Sequence, residues 1–282
     1  MTSEDKFKFN PVYLLPILAS LLFGLGCTWL LKPQQGPYVP DLPPVTPFAD
    51  NTISGPLGNA VFFVILVTIS ATTFYFLLKQ KKAKIIKIVI FSLMTIAAML
   101  LSIIYISTLL IHTTFSSLPL VIGLSILITI LFNLSIFKYT KTQSIAVICL
   151  GGAFGALFSF LLPLYSAITI LIALAIYDIF AVYRGPVGKI AQTSGLDQLS
   201  GLSYSFKDIQ MGLGDLFFYT VLACTMFSNF PNSLLPTIMS IIGICIGSII
   251  TFYLLEKRGI FPGLPFPTAL GLTLGLITTI FI

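Results

Sequence analysis

Charge is what this sequence has least of: 9% of its 282 residues are Asp, Glu, Lys or Arg, against 57% hydrophobic, and mean hydropathy is +1.04. Soluble domains carry roughly a quarter charged residues, so composition alone excludes a water-soluble globular protein. Histidine is nearly absent as well, with His112 alone and without a polar neighbour in sequence that would make it catalytic. The four cysteines, Cys27, Cys149, Cys224 and Cys245, stand at unrelated spacings inside apolar stretches with no CxxC pair. They read as small buried hydrophobes, and neither a metal site nor a disulfide framework is indicated. No cofactor is expected.

What the chain has in abundance is apolar sequence in runs of about 20 residues, the length that crosses a bilayer as helix. The runs fall at 11–31, 56–78, 85–111, 118–137, 144–163, 165–183, 211–228, 234–254 and 263–282. The expected fold is an all-α integral membrane protein, a nine-transmembrane-helix bundle, with 1–282 as one membrane domain: five N-terminal spans over 1–163 and four more over 164–282. The break between the fifth and sixth spans rests on Pro163, which interrupts one long apolar stretch. The first run follows a polar stretch, is longer than a signal-peptide core and lacks a small-residue cleavage site, so it reads as a retained span. The short connections leave no room for a separate aqueous domain.

Lysine and arginine stay with cytoplasmic loops, and their distribution here is one-sided. With the N-terminus inside, Lys6, Lys8, the cluster Lys79 to Lys87, Lys138, Lys141, Arg184, Lys189, Lys207, Lys257 and Arg258 all face the cytoplasm, and of the fifteen cations Lys32 alone lies outside. An eight-span chain would break this pattern after residue 163. The predicted topology is N-terminus cytoplasmic, C-terminus outside. The basic pI of about 9.1 then reports topology and contact with anionic lipid headgroups, and no nucleic-acid partner is expected. The proline-rich 32–55 segment, with Asp41 and Asp50, reads as an extended outer loop. Asn133-Leu134-Ser135 has the form of a glycosylation acceptor but sits inside a span.

Among nine acidic residues, Asp178 and Asp215 lie inside apolar spans. A carboxylate in hydrocarbon costs several kcal/mol and marks a functional site by default. In this topology the sixth span runs inward and the seventh outward, which brings both aspartates to similar depth near the cytoplasmic end. Two carboxylates sharing a site cannot both ionise easily, so such a pair holds one proton between them. The ionised partner takes a proton from water as it attacks a carbonyl; the protonated partner hydrogen-bonds that carbonyl and later protonates the leaving amine. A coupled pair titrates as a unit, and the sequence does not say which aspartate takes which role.

The local sequences are Tyr177-Asp178, then Gly212-Leu213-Gly214-Asp215 followed by Phe217-Phe218-Tyr219, then Pro262-Gly263-Leu264-Pro265. Together they resemble the YD, GxGD and PAL motifs of the presenilin and signal-peptide-peptidase family of intramembrane aspartyl proteases, in the family's order and on its sixth, seventh and ninth spans. The first five spans match only as hydrophobic segments. The resemblance implies a presenilin-like bundle, cleavage of peptide bonds within transmembrane segments, Asp178 and Asp215 as the catalytic pair, and no metal. It departs from the pattern at Gly263, where the family has alanine, an exchange expected to be sterically mild. It departs again in the connection of about 27 residues between the sixth and seventh spans, far shorter than the large loop of animal presenilins, so activating self-cleavage is not implied.

Supporting roles follow for the flanking residues. Gly212 and Gly214 permit close backbone approach to Asp215 and to a substrate, or serve ordinary helix packing; Leu213 lies between them. Tyr177 is placed to hydrogen-bond within the site, or to anchor at the membrane interface. Pro262 to Pro265 prevent regular helix at the level of the dyad, which suits an active-site wall or a loop turning into the ninth helix. Leu202 to Lys207 alternates apolar and polar, so the segment holding Tyr204 reads as an edge strand able to receive an unwound substrate by β-augmentation, or as an irregular loop.

Two other functions fit an intramembrane carboxylate pair: a proton- or cation-coupled transporter or channel, and a chaperone that grips transmembrane segments without cutting them. No inverted repeat links the two halves, which weighs against transport. The cation pattern and the Pro265 that completes a PALP-like motif look similar to the presenilin side of the family. They imply single-span substrates with their N-terminus outside, cut toward the cytoplasmic end. Small size and short loops suggest a microbial plasma-membrane protein acting without an obligatory accessory subunit.

Overall fold

No water reaches the hydrocarbon core to satisfy a backbone N–H or C=O, so an apolar run closes its hydrogen bonds within itself as a helix. The structure, a computed structural model, describes residues 10–32, 44–52, 54–80, 82–110, 117–137, 140–185, 203–206, 209–230 and 233–281. Among the described residues lie nine α-helices: α1 (Leu15–Leu31), preceded by a 3-10 turn over Pro11–Leu14, α2 (Ser54–Lys79), α3 (Ala83–Leu110), α4 (Leu118–Phe137), α5 (Thr140–Leu161), α6 (Leu164–Tyr183), α7 (Leu213–Asn229), α8 (Leu234–Arg258) and α9 (Pro265–Ile280). One antiparallel hairpin, β1 (Ser203–Phe206) and β2 (Ile209–Gly212), precedes α7, with Ser203 opposite Gly212 and Phe206 opposite Ile209.

Each expected span holds one helix, and Pro163 does separate α5 from α6. Seven of the helices are long and apolar enough to cross a bilayer; α7 and α9 are shorter, with 17 and 16 residues. Two boundaries differ from expectation. The apolar run places the start of the seventh span at 211, but Met211 and Gly212 pair with Tyr204 and Ser203 in the hairpin, and helix begins at Leu213. Met211 and Leu213 are apolar on either side of the junction, so hydropathy does not mark it. The run places the start of the last span at 263, but its helix begins at Pro265, a residue suited to the first turn because it lacks the N–H that would go unpaired.

The axis of the bundle is α7. Every residue from Tyr219 to Met226 is buried, as in a helix enclosed on all sides, and α1, α5, α6, α8 and α9 all pack on it. Lipid tails are as apolar as leucine, so helices in a bilayer associate where small residues let backbones approach. One such seam joins α1, α5 and α7: a Cβ placed on Gly155 would fall 2.6 Å from Thr220 Cβ and 2.9 Å from the Phe217 carbonyl oxygen. A second joins α8 to α9, where Gly243 and Gly247 lie against the backbone at Leu270 and Pro267. At the periphery α3 and α4 pair with each other and turn Ile88, Leu100, Ile122 and Leu131 outward.

Asp50, in the 44–52 segment before α2, caps α6, accepting hydrogen bonds from the N–H groups of Tyr165 and Ser166 at 3.0 and 3.2 Å and from the Ser166 hydroxyl. The fully buried Asn59 of α2 donates to Ser166 Oγ at 2.7 Å and to the Phe48 carbonyl at 2.9 Å. This network ties the 44–52 segment and the start of α2 to the start of α6. At the same end of the bundle, Lys32 donates to the Phe227 carbonyl at 3.2 Å and lies over that residue's ring.

Candidate active site

Asp178 lies five residues before the end of α6 at Tyr183, about 8 Å of helix. Asp215 is the third residue of α7. Because α6 enters this end of the bundle and α7 leaves it, the two carboxylates share a level. Gly212 ends β2 and caps α7 with an extended backbone (φ −74°, ψ 146°), and its N–H is directed at Asp215. An acidic side chain three residues into a helix reaching back to the cap amide is half of a capping box. Local structure alone therefore orients the Asp215 carboxylate.

The third component is the break between α8 and α9. Gly259, the one glycine with positive φ (74°) among the described residues, ends α8, since it adopts the left-handed region at no steric cost. Pro262 follows, and helix does not resume until Pro265. The turn between them carries backbone groups without helical partners, and the site residues satisfy them. Leu264 N–H donates to Asp178 Oδ2 at 3.0 Å, with the neighbouring Gly263 N–H directed at the same carboxylate. The Gly263 carbonyl accepts from Tyr219 Oη at 2.8 Å. On the other side, a Cβ on Gly263 would stand 2.9 Å from Asp215 Oδ2 and 3.0 Å from Oδ1. Alanine here would require the Asp215 carboxylate, the end of a rotatable side chain, to shift. One peptide unit, Gly263-Leu264, is held between the two aspartates, which also act on each other electrostatically.

Gly214 is exposed, and a Cβ added to it would find nothing within 4 Å; a Cβ on Gly212 would meet only ordinary contacts, 3.8 Å from Gly214 N and 3.9 Å from Asp215 Oδ2. Neither packs tightly against a helix, so the open space above them remains available. Leu213 lies beside Gly151 of α5, where a Cβ added to the glycine would stand 3.4 Å from its Cδ1. The Tyr177 hydroxyl is buried without a hydrogen-bond partner among the described residues. Tyr204 sits in β1 opposite Met211.

Beside Asp215 lies a cavity of about 130 Å³ lined by Met211, Tyr219, Ser248, Thr251, Phe261 and Gly263 among others. Sequence reasoning missed the roles of Tyr219, Ser248 and Thr251. Tyr219 stands four residues after Asp215, one turn along the same face, and Ser248 and Thr251 stand three apart in an otherwise apolar span. Those spacings were the available signals.

A family model described as signal-peptide peptidase, presenilin aspartyl protease matches residues 50–195, a stretch that includes Asp178 and ends before Asp215. No curated protein sequence matches the chain. Two solved structures share its fold, both of a presenilin family intramembrane aspartate protease. The one in space group C222 has a TM-score of 0.67 at 17% identity and covers 95% of this chain and 99% of its own. The one in space group P2 has a TM-score of 0.61 at 18% identity and covers 95% and 96%. The family match spans more than half of the residues, and the chain belongs to the signal-peptide peptidase, presenilin aspartyl protease family.

Proposed function

We propose that the protein is a GxGD-type intramembrane aspartic endopeptidase in which Asp178 and Asp215 form the catalytic pair and water is the nucleophile. The observation that carries this reading is the shared Gly263-Leu264 peptide unit, hydrogen-bonded to Asp178 and in contact with Asp215. Two carboxylates drawn from separate helices against one unwound segment leave irregular backbone and acid groups side by side at membrane depth, an arrangement tolerated only beside protein or water. One proton shared between them supplies a base for the attacking water and an acid for the carbonyl oxygen, and then for the leaving amine. Pro262 and Pro265 keep the turn from becoming helix. Gly212 and Gly214 leave room for a substrate backbone over Asp215, and the Tyr177 hydroxyl is available to that backbone.

A helical peptide bond is shielded from attack, so the substrate unwinds before it is cut. The hairpin strand holding Tyr204 is the proposed acceptor for the opened segment, by strand addition. The substrates are transmembrane segments, with the N-terminus outside and the scissile bond toward the cytoplasm. The 1–163 spans form the scaffold and 164–282 the catalytic half. The protein works in a microbial plasma membrane, without an obligatory accessory subunit and without nucleic acid.

The deciding experiment incubates purified protein with a fluorescent single-span substrate and identifies products by mass spectrometry for wild type, Asp178→Ala and Asp215→Ala. Cleavage within the span that disappears in both variants and with a transition-state isostere is the expected result. Cleavage that survives either substitution rejects the dyad.

A further inference from the structure

Thr251 is 6% exposed, and its Oγ1 has no hydrogen-bond partner among the described residues. Helical Ser and Thr in an apolar span ordinarily satisfy their hydroxyl on the carbonyl one turn back, as Thr68, Thr73, Thr220, Ser248 and Thr273 do here. Thr251 does not, and its side chain lines the cavity of about 130 Å³ beside Asp215. The same wall carries Ser248 Oγ, which donates to the Ile244 carbonyl at 2.8 Å, and Tyr219 Oη, which donates to Gly263. Ser248 Oγ keeps lone pairs, and the Asp215 carboxylate accepts as well. The cavity thus offers a hydroxyl donor and several acceptors, the complement of water. Its volume is several times the roughly 10–15 Å³ that one water needs, which leaves room for a small cluster.

We propose that this cavity is a resident-water site: Thr251 donates to, and Ser248 and Asp215 accept from, a small water cluster that hydrates Asp215 and refills the hydrolytic position after each turnover. The inference rests on the dyad reading. Each cleaved peptide bond consumes one water, whose oxygen and one hydrogen complete the new carboxyl group while its other hydrogen goes to the new amine. In hydrocarbon that water must come from somewhere, and this cavity adjoins the carboxylate that needs it. Thr251 is a positioning residue in this scheme, acting through water and not on the substrate.

Thr251→Val keeps the shape and removes the hydroxyl; Thr251→Ser keeps the hydroxyl. In a wet cavity the valine variant loses water contacts, so kcat falls by about fivefold to tenfold, the scale of one lost hydrogen bond, with KM unchanged and no gain in Tm. The serine variant retains wild-type kcat. In a dry cavity the valine variant removes a buried unpaired hydroxyl, so Tm rises and kcat is unchanged, which overturns the proposal. Equal losses in both variants overturn it as well, since shape and not the hydroxyl would then be responsible. Wild type and Asp178→Ala run alongside, so that failure of the dyad itself is seen before Thr251 is touched, and the Tm comparison needs no turnover.

Discussion

Gly263 is where a single carbon atom matters most. The hypothetical Cβ at 2.9 Å from Asp215 Oδ2 has an orientable carboxylate on one side and a backbone turn fixed by two hydrogen bonds on the other. The carboxylate is the softer partner, so Gly263→Ala is expected to turn Asp215 away from Asp178 before it displaces the turn. Substrate binding is then little changed while kcat falls by about tenfold, equivalent to ~1.4 kcal/mol on the barrier, and steady-state kinetics on a single-span substrate separate the two parameters. An unchanged kcat would mean that Asp215 has room to spare. Tyr219→Phe probes the turn itself. It leaves the Gly263 carbonyl unpaired, a loss of about 1 kcal/mol or more for a buried group, so a lower Tm together with a lower kcat is expected in thermal and kinetic assays. The aspartates were legible in the sequence because acids are rare in apolar spans. Tyr219 was not, because a tyrosine near a membrane interface is ordinary and only the fold brings its hydroxyl to Gly263.

Helices were the most legible elements, because hydrocarbon leaves an apolar run no other way to satisfy its backbone, and Pro163 and the prolines at 262 and 265 marked real breaks. The hairpin was half legible: alternation from Leu202 to Lys207 announced β1, but β2 was hidden in the apolar approach to α7. Helix neighbours were not legible at all, since a lipid-facing leucine and a helix-facing leucine look alike in sequence and the seams are set by glycine contacts. Gly247→Val tests one of these seams. Its side chain would overlap the Pro267 backbone and drive α9 away from α8, carrying the 263–264 turn off the aspartates; overpacking of this kind costs about 1–3 kcal/mol. Loss of activity with a lower Tm is expected, while Gly123→Val, at an exposed position of α4 with nothing within 4 Å, leaves both unchanged. Tyr204→Pro tests the hairpin by removing one strand N–H and stiffening β1. Cleavage should fall while the fold of the bundle, read by Tm, is retained; undiminished cleavage would dismiss strand addition.

At the scale of the molecule, depth and direction decide what the protease can cut. The dyad lies at the end of the bundle where α6 finishes and α7 begins, opposite the end where Asp50 caps α6 and Lys32 meets Phe227. In the nine-span reading of the sequence, fourteen of the fifteen cations fall in connections on one side, and the positive-inside bias makes that side, with Asp178 and Asp215, the proposed cytoplasmic one. The proposed orientation would fix the polarity of the substrate, because a strand added beside β1 would enter with one direction and the carboxylates would meet one face of the unwound peptide. Two exposed positions read the topology directly: Asn51 before α2 and Gln80 between α2 and α3. With the four native cysteines replaced, Asn51→Cys should react with a membrane-impermeant maleimide on intact spheroplasts, and Gln80→Cys only after lysis. The reverse pattern would invert the bundle, move the dyad to the outer leaflet and turn the expected substrates around, to single spans with their N-terminus in the cytoplasm.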